Sequence, residues 1–223
     1  MIDGDQTVDE SLVRFVRATG PDHTDVQAEM AAHAEAESFP NVGRGAGAVL
    51  QLLARLADAE TVFEFGSGFG YSASWFLRGG AGRVVLTEFD EDELALGREF
   101  LTDAGLAERC VFESGDAMET VERYGGPFDV VLVDHQKSRY PEAFEAVRRK
   151  LSPGGVIVAD NVTRGPASFS AVLDHLESGE PLPADDDQTA GTAEYLDRVR
   201  TADEFDTAVL PVGSGLSVSV KRR

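Results

Sequence analysis

The sequence predicts an α/β fold: a Rossmann-like sheet wound on both faces, mostly parallel, with an N-terminal helical cap and a C-terminal antiparallel hairpin. Three observations carry this. Five short runs rich in Val, Ile, Leu and Phe alternate with helix-length segments, the pattern of buried strands covered by helices on both faces. A glycine-rich turn, "GSGFG" at 66–70, follows the first run. Acidic residues stand at the ends of the strands, where open α/β sheets gather ligands.

Residues 8–19 and 24–37 are Ala- and Glu-rich with helical apolar spacing, and "RGAGAVLQLLARLADA" at 44–59 is a stronger amphipathic helix. Strands and helices then alternate: "TVFEFG", helix 71–78, "RVVLTE", helix 91–104, "CVFES", helix 117–124, "FDVVLVD", helix 139–151, "GGVIVAD", helix 166–178. Segment 179–192, with "GEPLPADDDQTAGT", predicts a loop. "FDTAVLPV" and "GLSVSVK" around "GS" at 213–214 predict a hairpin at one sheet edge. At 223 residues the chain fits one domain, 1–223, with a cap over 1–59 and the core over 60–223.

Forty acidic residues against 20 Lys plus Arg give a formal net charge of −20, which argues against nucleic acid as a partner. "ADDD" at 184–187 and "FDEDE" at 89–93 read as solvated surface, with Asp90 or Asp92 capping a helix. Only Lys137, Lys150 and Lys221 are lysines. An acidic, arginine-over-lysine surface resembles proteins of salt-loving archaea, where 1 M salt screens charge to within ~3 Å. No apolar run reaches membrane-span length and the start lacks signal-peptide features, so a soluble cytoplasmic protein is expected, with no membrane partner. The lone cysteine, Cys110, excludes a disulfide framework and reads as a small apolar residue.

The glycines at 66, 68 and 70 read G-x-G-x-G, which lacks the spacing of a dinucleotide fingerprint. Glu64, two residues earlier, would repel a pyrophosphate and favour a cationic ligand. Glu88 lies 18 residues past Gly70, near the offset at which an acid reaches the ribose hydroxyls of an adenosine.

The ordered set "NVGRGAG", "EFGSGFGYSASWF", "TEFD", "GDA", "FDVVLVDHQKSRY", "GGVIVADN" and "LPVGSGLSVSVK" resembles the class I S-adenosylmethionine-dependent O-methyltransferases of the catechol and caffeoyl-coenzyme A type, from about Asn41 to Lys221. The resemblance implies S-adenosyl-L-methionine as cofactor. It assigns Glu64 to the methionine amino group, Gly66 to close backbone approach, Ser72 to the methionine carboxylate and Val42 to the wall beside it. It assigns Glu88 to the ribose, Asp116 and Ala117 to the adenine edge, and places Asp134 and His135 beside the cofactor. His135 equally fits a buried structural histidine.

Asp134 and Asp160 end strands expected to be neighbours, ~4.8 Å apart, so their carboxylates can converge on one ion, with Asn161 adding a neutral oxygen. This hard oxygen set suits Mg²⁺ or a similar divalent cation; the alternative is a helix cap and a turn. Lys137, three residues past Asp134, is the candidate general base, against the alternative of a surface lysine. Gln136 stands where the catechol enzymes carry an aromatic wall, and Glu194 is the remaining candidate for a substrate-hydroxyl contact. The expected partner is a small hydroxylated, catechol-like or vicinal-diol substrate, with a homodimer left open. Two further readings stay open: a metal-independent N- or carboxyl-methyltransferase, and a non-catalytic adenosine-binding regulator.

Overall fold

The computed structural model describes residues 10–223; the first two residues of the helix expected over 8–19 lie outside them. Three helices, α1 (Glu10–Thr19), α2 (Asp25–Glu37) and α3 (Gly43–Leu56), precede β1 (Thr61–Phe65). There follow α4 (Tyr71–Gly79), β2 (Arg83–Glu88), α5 (Glu91–Asp103), β3 (Cys110–Ser114), α6 (Ala117–Glu122), β4 (Phe128–Val133), α7 (Tyr140–Val147) and β5 (Leu151–Ala159). The chain closes with α8 (Phe169–Ser178), α9 (Asp187–Thr201), β6 (Phe205–Leu210) and β7 (Leu216–Lys221).

Local chemistry starts several of these helices. Thr24 and Gln27 form a reciprocal capping box for α2. Asp90 accepts from the backbone N–H groups of Asp92 and Glu93 at the head of α5, the capping role expected of it. Trp75 of α4 packs so closely on α3 that a Cβ at Gly47 would lie 2.4 Å from its indole nitrogen.

The sheet order is β3-β2-β1-β4-β5-β7-β6, with β7 antiparallel to both neighbours and the other pairings parallel. The mostly parallel sheet with an edge hairpin is the predicted fold. Side chains alternate across it: Val62, Leu86, Leu132 and Val158 join Leu50 and Trp75 in one core layer. Phe63, Phe65, Val131, Val133 and Ile157 join Phe144 and Tyr195 in the other.

The order reverses between β1 and β4, which opens a crevice at the carboxyl ends of those strands. The register there is level. Phe65 pairs with Thr87 and Val133, and Val133 with Ala159, so Gly66, Glu88, Asp134 and Asp160 meet at one rim.

One expectation fails. The segment 179–192 holds the start of a 15-residue helix, α9, rather than a loop throughout. Asp186 caps it by accepting from Thr189 N–H, and its buried face is Thr189, Gly191, Thr192, Ala193, Tyr195, Leu196 and Val199. Thr189, Gly191, Thr192 and Ala193 supply four of those seven positions, so no apolar stripe marks that face in the sequence. The helix expected over 139–151 ends at Val147, because Leu151 already pairs with Phe128 as a strand residue. Among the described residues no helix is long and apolar enough to cross a membrane.

Candidate active site

The glycine turn is shaped by its backbone. Gly66, Gly68 and Gly70 have φ of 79°, 47° and 79°, the left-handed region that side chains disfavour. A Cβ on Gly66 would also stand 2.8 Å from the Asp134 carbonyl, so the turn lies directly against the end of β4. Glu88 braces it from β2: one carboxylate oxygen accepts from Gly68 N–H at 2.9 Å, the other from Phe89 N–H at 2.9 Å and Asp90 N–H at 3.1 Å. Three backbone donors fix this carboxylate while leaving lone pairs for a ligand.

Glu64 is wholly buried, and neither carboxylate oxygen has a hydrogen-bond partner of normal geometry. Burial pushes its carboxyl up to about 8, opposed by the nearby Ser72 hydroxyl and reinforced by Asp134. A buried acid without a donor is costly, and a cation beside it removes the cost.

The turn floors a cavity of about 670 Å³ at the sheet rim. Val42, Gly66, Ser72, Glu88, Asp116, Ala117, Asp134, His135, Lys137, Asp160 and Asn161 all line it, so the structure brings together the sequence-predicted site residues except Glu64 and Glu194. Glu64 stands in β1, two residues before Gly66.

Asp116 caps α6 through Met118 N–H at 2.8 Å and pairs with Arg139 at 2.8 Å, which holds its carboxyl below the usual range. His135 is packed between Phe65 and Tyr140, stacked on the latter at 5.6 Å, with both ring nitrogens buried and unpartnered. Burial, then Arg139 and Lys137, push its imidazole down to about 3, so it is neutral at physiological pH.

Lys137 is buried at 5% exposure, in a 3₁₀ turn (Lys137–Arg139) ahead of α7. Its Nζ donates to Asp134 Oδ1 at 3.1 Å and to the His135 carbonyl at 3.3 Å, 4.8 Å from the Tyr140 ring centre. This is no surface lysine. Asp134 keeps 22% of its side-chain surface open, yet burial holds its carboxyl above the usual range against the pull of Lys137. Asp160 is buried; its Oδ1 accepts Asn161 N–H at 2.7 Å, and burial followed by the Asp134 charge pushes its carboxyl up to about 7. Asn161 has φ 59°, a left-handed conformation Asn tolerates.

These residues fit a divalent cation on their own chemistry. Two neighbouring carboxylates, of which Asp134 raises the proton affinity of Asp160, plus an amide oxygen, are a hard oxygen donor set. It is a spare set, since among the described residues no cluster of three or more His, Cys, Asp or Glu is placed to hold a metal.

Arg139 and Gln188 are among the lining residues without a role in the sequence analysis. Arg139 belongs to the quoted "HQKSRY", so its guanidinium was visible but its partner at the head of α6, Asp116, was not. Gln188 lay in the expected loop; at the head of α9 its Oε1 accepts Lys137 N–H at 2.9 Å. Glu194 does not reach the cavity lining: it is exposed and pairs with Arg198 at 2.6 Å.

The O-methyltransferase family model matches residues 23–221, nearly the whole chain. The chain belongs to that O-methyltransferase family. Among individual relatives, it is 36% identical over 130 residues to a catechol O-methyltransferase of Niastella koreensis, a match covering 56% of this chain and 59% of that protein's length. The family fold recurs in solved structures. An O-methyltransferase from Bacillus cereus in complex with SAH superimposes with a TM-score of 0.82 at 25% identity, covering 95% of this chain and 97% of that one. The O-methyltransferase TomG from Streptomyces achromogenes, involved in tomaymycin synthesis and in complex with SAM, gives 0.80 at 25% identity over 96% of each chain. Within this family fold the cavity sits at the strand-order reversal, the position ligands take in open α/β sheets.

Proposed function

We propose that the protein is an S-adenosylmethionine-dependent O-methyltransferase acting on a small catechol-like or vicinal-diol substrate, assisted by a divalent cation. The observation that carries this is one orphaned buried carboxylate, Glu64, in the strand that leads into the glycine turn, behind a crevice lined by the Asp134–Asp160–Asn161 oxygen set. The family membership and the catechol methyltransferase relative support the same reading.

Each residue then has a task. Glu64 pairs with the ammonium of the cofactor's methionine, with Ser72 at its carboxylate and Val42 beside its chain. Gly66 admits the close approach that a Cβ would block. Glu88, held by its three backbone donors, accepts from the ribose hydroxyls. Asp116, Ala117 and His135 form the adenine end, with Arg139 fixing the Asp116 carboxylate. S-adenosylmethionine supplies an electrophilic methyl on sulfonium, and the bracing of the crevice orients it. Asp134, Asp160 and Asn161 would hold the cation, whose Lewis acidity favours ionisation of a substrate hydroxyl. Lys137 Nζ is the group placed to take the hydroxyl proton, and its burial keeps bulk water from competing for it.

A second reading rests on one observation. Lys137 Nζ already neutralises Asp134 at 3.1 Å, so a metal-independent methyltransferase could use that ion pair in place of the cation. Methyl transfer to a panel of vicinal diols, phenols, amines and carboxylates, with Mg²⁺ or with chelator, separates the two. Metal-stimulated transfer to diols that Asp160→Ala abolishes, at unchanged cofactor affinity, supports the first. Chelator-insensitive turnover supports the second, and cofactor binding without transfer to any acceptor defeats both. The net charge of −20 further supports adaptation to concentrated salt.

A further inference from the structure

We infer that a second cavity beside the first is a subsite for the anionic end of the substrate, so that the preferred acceptors are vicinal diols carrying a carboxylate on a short arm. The inference rests on the methyltransferase reading and deepens it.

This cavity holds about 220 Å³, between one side of α1, the start of α3, the loop after β5 and the turn before β7. Val42 lines both cavities, and Arg164 of the second is the chain neighbour of Gly165 of the first. Three arginines border it: Arg17, Arg44 and Arg164. Arg44 is committed, donating to Asp22 at 2.7 Å and to the Pro21 carbonyl at 2.8 Å. Arg17 and Arg164 differ. Among the described residues neither side chain makes an ion pair or hydrogen bond. Both are exposed and free to pair, and together they place two guanidinium groups on one cavity of a chain with 40 acidic residues to 20 basic ones. Their planar forks match a carboxylate, while Val16, Val42 and Val212 offer apolar contact to the arm that carries it.

The loop that joins the two cavities is pinned. Val162 N–H donates to the Gly215 carbonyl at 3.1 Å, and Thr163 and Arg164 N–H both donate to the Ser214 carbonyl, at 3.1 and 3.0 Å. A Cβ on Gly215, at φ 86°, would collide with Thr163, so glycine there lets the loop seat. Asn161 and Arg164 are therefore held on one rigid strip, three residues and at most about 10 Å apart along the chain. That span suits an aromatic diol near Asn161 with its acid on a two- or three-atom side chain.

The test compares 3-(3,4-dihydroxyphenyl)propionate with its primary amide, which has the same shape and no charge, in a fixed concentration of KCl. The parent is expected to show a lower KM for the acid at similar kcat. Arg17→Gln and Arg164→Gln should each raise KM for the acid about fivefold, the scale of one exposed ion pair, and leave both constants for the amide unchanged. Equal KM values for acid and amide in the parent, or variants that shift both alike, overturn the subsite. If neither compound is methylated, calorimetric titration of the acid into the protein with demethylated cofactor decides separately. Binding weakened by both variants keeps the subsite and rejects only the proposed reaction; binding unaffected by them rejects the subsite.

Discussion

Glu64→Gln tests the link between burial and cofactor recognition. In the ligand-free protein the carboxyl is pushed from 4.5 to about 8 by burial. Between those values the unfolded chain has released the proton and the folded one retains it. Stability from this group therefore falls as pH rises from about 4.5 to 8 and is level beyond. At about 1.4 kcal/mol per pH unit the fall is roughly 5 kcal/mol, undiminished by solvent because the side chain has no exposed surface. Glutamine keeps the shape without the charge. Urea unfolding in constant KCl should give parent and variant similar stabilities near pH 5 and a variant more stable by several kcal/mol at pH 9. Asp160, pushed up to about 7, contributes a slope of the same sign to both proteins, so the difference between the curves isolates Glu64. The same substitution should weaken S-adenosylmethionine at pH 8 by roughly 1.5 to 3 kcal/mol, the value of a hydrogen bond to a charged group. In the parent, affinity should rise with pH up to about 8, because binding an ammonium displaces the Glu64 proton. A variant with the parent's pH slope, or with undiminished cofactor affinity, would refute the argument.

Three further outcomes are expected. Lys137→Ala should keep cofactor affinity and lower kcat by roughly 10² to 10⁴, with part of the rate returning at high pH as hydroxide replaces the amine; parent-like activity at neutral pH withdraws the base assignment. Gln188→Ala removes the 2.9 Å bond to Lys137 N–H and should lower kcat by roughly ten- to a hundredfold without altering calorimetric cofactor binding, whereas an unchanged kcat would leave Gln188 as wall only. The unfolding midpoint should rise from dilute buffer to molar KCl, and an identical midpoint would count against a salt-adapted surface.

Most of the fold was legible because the information is local. Buried parallel strands read as continuous apolar runs, and the glycines at 66, 68 and 70 mark backbone conformations that other residues avoid. The acids at the strand ends were legible for a related reason. A parallel sheet brings all its carboxyl ends to one side, so an acid just past each strand lies at the shared rim whatever the helices do. The adjacency of Asp134 and Asp160 followed from the expected order of β4 and β5, which the Val133–Ala159 register bears out.

What the sequence left unread depends on contacts between distant segments. The start of α9 looked like a loop because its buried face is built from Thr, Gly and Ala, chosen for close approach: a Cβ on Gly191 would lie 2.3 Å from the Lys137 carbonyl. Gln188 gained its place only through that approach. The Asp116–Arg139 pair joins residues 23 positions apart, and the cavity bordered by Arg17 and Arg164 joins α1 to the loop after β5. Such pairings leave no periodic trace in the chain. The sequence by itself determined the sheet, the glycine turn and the row of acids, since backbone preference and strand direction suffice for these; only the tertiary structure decided that Lys137 is buried against Asp134 and that Glu64 has no donor, because burial and partnership are properties of the packed whole.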